Sequence, residues 1–192
     1  MVSPLLISLI LMNFKEQSLQ FIAIIKHMKK ILLLSDTHGF IDTNILNYIK
    51  DVDEVWHAGD IGTLSVTDRI EKIKPLRAVY GNIDDKIIRV EFPLNNIFTI
   101  EGVKVWITHI GGYPYRYEKR IKEKLIENPP NLFISGHSHI LKVQFDKKLN
   151  LLHMNPGAIG KYGIHKVRTM LRFEVDNKKI NNLEVIELEN RV

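Results

Sequence analysis

The sequence contains no cysteine. Disulfides and thiolate metal sites are therefore impossible, and any metal has to sit on Asp, Glu, Asn or His. The same absence suits a reducing compartment, and a cytoplasmic location is the expectation. A dense basic stripe is missing too. Lys and Arg number 27 against 22 Asp and Glu, a net charge of +5, but the basic pairs Lys29-Lys30, Lys119-Arg120, Lys147-Lys148 and Lys178-Lys179 are scattered. Charge alone therefore gives little support to nucleic-acid binding, and no nucleic-acid partner is expected. No apolar run is long enough to span a bilayer. "MVSPLLISLILM" and "LQFIAII" are each too short, and Lys15 and Glu16 stand between them. Neither run has a clear basic flank or a small-residue cleavage point, so a signal peptide is not indicated and stable membrane insertion is not expected. Residues 1–27 read as an extension outside the fold, because Met28-Lys29-Lys30 followed by "ILLLSD" resembles a chain start entering its first strand.

What is present is ordinary for a globular chain: 192 residues, 45% hydrophobic and 26% charged, enough for one domain over residues 28–192. "KILLLS" reads as a fully buried strand. Ile41, Ile45, Leu46 and Ile49 then recur at helical spacing, predicting a helix over 42–50. "EVWHAGD" reads as a second strand, 64–73 as a second helix stopped by Pro75, and "LRAVYGN" as a third strand. This β-α-β-α-β order argues for a parallel sheet. Further on, "NIFTI", "VKVWITH", "LFISGH", "LKVQFD", "LNLLHMN", "TMLRFEVD" and "NLEVIEL" read as short strands. A charged helix is predicted over 115–127, before Pro129-Pro130. The later strands predict a second, more antiparallel sheet. The expected class is α/β, a single domain with two sheets.

Strand after strand ends on a metal-type ligand: Asp36 and His38, then Asp60, Asn82, His109, and His137 with His139. Ligands of α/β sheets bind beyond the carboxyl ends of strands. Each residue has an ordinary alternative. Asp36 would serve as a helix cap, Asn82 as a turn residue, His109 as a core histidine and His137-Ser138-His139 as a plain turn. Those alternatives would have to hold independently at the same end of successive strands. Two carboxylates, four imidazoles and an amide suit Mn²⁺, Fe, Zn²⁺ or Ni²⁺ better than Ca²⁺. Seven side chains exceed one tetrahedral ion and match two, which would clamp a phosphoryl group and activate a water.

Asp36-x-His38, Gly59-Asp60, Gly81-Asn82, His109 and Gly136-His137-Ser138-His139 resemble the ordered motif set of the calcineurin-like metallophosphoesterases. The match is closest to the small YfcE-like phosphodiesterase group, which the retromer subunit of the same fold also resembles. The resemblance covers residues 28 to about 190. It implies a two-sheet β-sandwich flanked by helices. It also implies a first metal on Asp36, His38, Asp60 and His139, and a second on Asp60, Asn82, His109 and His137, with Asp60 bridging. Asp60, Asn82 and His109 are the positions it implies for catalysis. The expected cofactors are two divalent ions, Mn²⁺ first, with Zn²⁺, Ni²⁺, Fe or Mg²⁺ as the others. The expected reaction is attack of a metal-bound hydroxide on a small phosphodiester. A catalytically weak binding module on the same fold is the alternative, and a homodimer is open.

The sequence departs from the wider family in two places. The second acid often found shortly after Gly-Asp is missing, since Asp60 is followed by Ile61-Gly62-Thr63. Many members carry Gly-Asn-His after the third strand, whereas this chain has "GNIDD", with Ile83 where the histidine would stand. Ile cannot donate a proton. Asp84 fits the Gly-Asn-x-Asp pattern of the small group, either as an orienting residue or as a turn residue. His57 is expected to pack or orient rather than to act as an acid, and His153 and His165 to be structural or superficial. "GGYPYRY", carrying Arg116, reads either as a substrate-contacting loop or as an aromatic cluster on the next helix. Asn155 is a further candidate for supporting the site.

Overall fold

The computed structural model describes residues 28–190. The apolar stretch 1–27, expected to be an extension, lies outside the described residues. The first sheet has the order β12-β11-β1-β2-β3. Its members are β1 (Lys29–Leu34), β2 (Glu54–His57), β3 (Leu76–Ala78), β11 (Val167–Asp176) and β12 (Lys179–Asn190). The second has the order β4-β5-β8-β10-β9. It comprises β4 (Asn95–Ile100), β5 (Val103–Thr108), β8 (Leu132–Ile134), β9 (Leu141–Asp146) and β10 (Leu151–Pro156). The helices are α1 (Thr43–Lys50), α2 (Leu64–Glu71), α3 (Lys86–Glu91) and α4 (Lys119–Glu127).

The core has three parts, which define four layers. Ile31, Leu33, Trp56 and Val79 of the first sheet's side meet Val105, Ile107, Ile134 and Met154 of the second. On the other face of the first sheet, Leu32, Leu34 and Val55 pack against Ile45 and Ile49 of α1, Val66 and Ile70 of α2, and Ile88 of α3. On the other face of the second sheet, Trp106, Phe133 and Leu151 cover Ile121 and Leu125 of α4. The apolar run of β1 follows from this arrangement. Ile31 to Leu34 are all fully buried because both faces of that strand are covered. This is the two-sheet sandwich flanked by helices expected from the resemblance.

Three expectations need correction. The second sheet is mixed rather than mainly antiparallel. β5, β8 and β10 run parallel, and only β4 and β9 pair antiparallel at its edges. β11 and β12 return to the first sheet, where β11 pairs antiparallel with β1. The helix predicted over 115–127 begins only at Lys119. The residues before it form a small hairpin, β6 (Gly112–Tyr113) with β7 (Arg116–Tyr117). That hairpin turns through Pro114 and Tyr115, the latter at φ 71°, and Tyr117 is tied down by its ring on Phe133 and its hydroxyl on Asp146 Oδ2 at 2.8 Å. The short α3 was not foreseen. It is capped by Asp85, whose carboxylate accepts from Ile88 N–H at 3.0 Å.

Leu33 is fully buried between the two sheets. Leu33→Ala is expected to lower the free energy of unfolding by about 2–5 kcal/mol, as cavity-forming core truncations do. Urea unfolding followed by far-ultraviolet circular dichroism measures it, and a loss below about 1 kcal/mol would contradict this picture of the core.

Candidate metal centre

The parallel pairing of β1 with β2 does not stop where the strands stop. Asp36 N–H donates to the Gly59 carbonyl at 2.9 Å, His38 N–H to Asp60 O at 3.0 Å, and Gly39 N–H to Ile61 O at 2.8 Å. The segment after β10 joins the same cluster, with Ile159 N–H on Ser35 O and Gly160 N–H on Asp36 O, both at 3.1 Å. The loops are therefore pinned to one another by backbone hydrogen bonds. Within them Asp36, His38, Asp60, His137 and His139 all have φ between 48° and 67°. This left-handed region is uncommon for residues other than glycine, and it clusters at functional sites. The kinks turn these side chains out of the strand line. Asp36 does not cap α1; Asp42 does, accepting from Ile45 N–H at 2.9 Å.

The side chains fall into two groups, each with its donor atoms mutually within 4.8 Å: Asp36, His38 and His139, and Asp60, His109 and His137. Asp60 touches both groups. Its Oδ1 lies 3.2 Å from His109 Nε2, and its Oδ2 lies 3.8 Å from His38 Nε2. Asp36 Oδ1 is 3.2 Å from His139 Nε2. His38 Nε2 and His139 Nε2 are 3.4 Å apart. Asn82 is exposed on the turn after β3. It stands next to Ile83, whose N–H donates to Asp60 Oδ1 at 3.2 Å. Six of the seven expected ligands thus form the two groups, and Asn82 lies outside them, one residue before Ile83.

His109 Nδ1–H donates to the Ala58 carbonyl at 2.8 Å, so a neutral ring at this place has its lone pair on Nε2. Burial, foremost, holds the pKa values of His38 and His137 below the ordinary histidine value. Neutral imidazole is the form a metal takes. Burial works against charge on Asp60 as well, but hydrogen bonding and attraction from His109 outweigh it and keep the carboxyl below its ordinary value. In return His109, despite its burial, is held above the ordinary value by Asp60 and Asp36. Asp36 Oδ1 and His109 Nε2 are buried, and their near neighbours are other candidate ligand atoms, His139 Nε2 and Asp60 Oδ1, each at 3.2 Å. The residues therefore fit divalent ions.

Around the site, other residues hold the loops. Asp84 accepts from Gly81 N–H at 2.7 Å, Gly62 N–H at 2.7 Å and Ile61 N–H at 3.1 Å. It is the clamp between the loops after β2 and β3, which settles its two readings in favour of orientation. Gly81 is required here because a Cβ would strike the Asp60 carboxylate. Asn155 Nδ2 donates to Gly136 O at 2.8 Å and Ser138 Oγ at 3.1 Å, holding the turn that carries His137 and His139. Tyr113 and Arg116 line a cavity of about 320 Å³ with His137, Lys142 and His153, while Tyr117 packs inward. The loop therefore packs on the α4 cluster through Tyr117 and lines the cavity through Tyr113 and Arg116. His165, expected to be structural or superficial, places its Nδ1 3.3 Å from His139 Nδ1. No spacing rule points to that contact.

A family model, the calcineurin-like phosphoesterase superfamily domain, matches residues 28–178. The chain belongs to that superfamily. A probable metallophosphoesterase of Methanothermobacter thermautotrophicus is 28% identical over 132 residues, 66% of this chain and 74% of that protein. Among solved structures, one described as a novel archaeal phosphodiesterase has a TM-score of 0.60 at 24% identity, covering 83% of this chain and 99% of that one. Vps29 of Entamoeba histolytica, complexed with Zn²⁺, has a TM-score of 0.65 at 14% identity, covering 85% and 99%. Both structures share the fold of this chain. Among the described residues no helix is long and apolar enough to cross a membrane.

His57 is fully buried. Its Nδ1 accepts from Gly59 N–H at 3.1 Å, and its Nε2–H donates to Thr37 Oγ1 at 2.9 Å, the hydroxyl passing its own proton to Ile61 O at 2.9 Å. Burial lowers its pKa from 6.5 to about 4. Such a group supports a loop and does not reach substrate. Between pH 6.5 and about 4 the unfolded chain takes up a proton that the folded chain refuses. Stability therefore falls as pH drops through that window, by about 3 kcal/mol in all for this residue. Urea unfolding of metal-stripped protein should show a shallower decline in His57→Gln than in wild type. Parallel curves would contradict the assignment.

Proposed function

We propose that this protein is a phosphodiesterase whose reaction centre is held by two divalent ions. The observation that carries the reading is the convergence of two buried carboxylates and four imidazoles in two groups, the donor atoms of each within 4.8 Å of one another and Asp60 within reach of both. Carboxylates and imidazoles brought this close are the donor set that divalent ions take. Asp36, His38 and His139 would hold one ion, and His109, His137 and Asn82 the other, with Asp60 shared. Bound ions of this kind supply Lewis acidity to a phosphoryl group and a water acidic enough to become a nucleophile. Mn²⁺ is the first candidate, and the mixed nitrogen and oxygen donors also suit Zn²⁺, Ni²⁺ or Fe.

The chain's own residues would do the rest. The pinned loops fix the donors before substrate arrives, so binding needs little reorganisation. The cavity beside His137 would receive one alcohol of the diester, with Arg116 and Lys142 at its wall. Arg is suited to two-point recognition of a phosphate. No side chain at position 83 can protonate a leaving alkoxide, and His57 is sealed in the core. The absence of a positioned acid favours esters with good leaving groups, since general acid catalysis typically contributes ~10²–10⁴-fold. The phosphodiesterase name of a structural neighbour agrees with this reading.

The test is hydrolysis of bis(p-nitrophenyl) phosphate and of p-nitrophenyl phosphate by metal-stripped protein, with Mn²⁺, Mg²⁺, Zn²⁺ and Ni²⁺ returned one at a time. Metal-restored cleavage that prefers the diester is expected, and Asp60→Ala and His139→Ala should each reduce it by at least ~10³-fold. Full activity in Asp60→Ala would overturn the shared-carboxylate reading. Metal binding without turnover under any ion would instead identify a binding module that keeps the centre for structure.

A further inference from the structure

Beyond the ligands themselves, we infer that His165 is a positioning residue that fixes which nitrogen of His139 is free to bind metal. The inference rests on the two-ion reading above. His165 Nε2 lies 3.0 Å from the Gly160 carbonyl. A carbonyl oxygen only accepts, so this nitrogen carries the proton. In a neutral His165 ring Nδ1 is then a lone pair. It faces His139 Nδ1 at 3.3 Å, which must be the donor in that contact. His139 is left with its bare nitrogen at Nε2, and Nε2 is the atom directed at Asp36 Oδ1, 3.2 Å away, and at His38 Nε2, 3.4 Å away. One backbone carbonyl therefore sets the proton order of two imidazoles in series. The reverse order would place two lone pairs against each other at Gly160 and a proton where a cation has to sit.

The surrounding chain is built to keep this pair in line. Gly160 is anchored by its own N–H on Asp36 O at 3.1 Å, so the accepting carbonyl belongs to the same loop cluster as the ligands. The two rings stand edge to face, with centroids 5.3 Å apart and planes at 68°. Gly163 lies against them, and a Cβ at that position would collide with His139 Nδ1 and approach His165 Nδ1 to 3.1 Å. Partners of this kind orient the ligating ring and raise its basicity. The buried candidate ligand His109 uses a carbonyl directly, that of Ala58. His139 obtains the same service through a second histidine. No such arrangement was legible in the sequence, where His165 is just one of eight histidines.

Two measurements test it. Calorimetric titration of metal-stripped protein with Zn²⁺ should resolve two binding events in wild type. His165→Ala should weaken one of them by ~10–100-fold and leave the other within about threefold, the usual cost of losing such a partner. Equal weakening of both events, or no change in either, would overturn the inference. A wild type that binds no ion would sink the proposed function instead. The second measurement needs no variant. In the ¹⁵N imidazole spectrum of Zn²⁺-loaded wild type, His139 should be protonated at Nδ1 and His165 at Nε2. A proton on His139 Nε2, or on His165 Nδ1, would overturn the inference even if the variant failed to fold.

Discussion

The constraint on which the rest depends is the continuation of β-pairing past the ends of the strands. The hydrogen bonds from Asp36, His38 and Gly39 N–H to the carbonyls of residues 59–61 extend the β1–β2 ladder through residues that are no longer strand. Five candidate ligands sit in left-handed backbone in or beside this extension. Each such residue costs of order 1–3 kcal/mol, and no short loop would hold five of them unaided. They persist because the four-layer core fixes β1 and β2, and the ladder then fixes the loops beyond them.

Charge reinforces that geometry. Two buried carboxylates and the buried His109 meet the half-buried His38 and His139 and the exposed His137. Asp60 and His109 attract each other, and that attraction displaces their pKa values in opposite directions. The carbonyls of Ala58 and Gly160 and the carboxylate of Asp84 add no net positive charge. They set directions instead, deciding which nitrogen is bare and which loop lies where. The site is thus an arrangement of acceptors, well matched to divalent ions and poorly matched to anything neutral.

Much of this was readable from the chain. The residues that end successive strands announced a common edge, because side-chain type and glycine neighbours repeat there whatever the helices between them do. The covered faces of β1 were readable in its unbroken apolar run. What escaped the sequence was whatever depends on distant pairing. The placement of β11 beside β1 is a contact across most of the chain, with no local mark. α3 has one buried residue, Ile88, and leaves Ile87 and Val90 exposed, so no apolar stripe betrays it. The 112–117 hairpin was hidden because its strands are two residues each, too short to show an alternating pattern. His165 was invisible because its role comes from one carbonyl and one neighbouring ring, both set by the fold.

The clamp by Asp84 carries one more implication. A single carboxylate gathers three amides from two loops, so those loops stand or fall together rather than fraying one at a time. The ordering entropy of the site is then spent when the chain folds, not when an ion arrives. Ion entry and departure become exchange at a finished surface. The ion-free protein and the loaded one would share a backbone, and occupancy would follow the free concentration of each ion rather than the folding history of the chain.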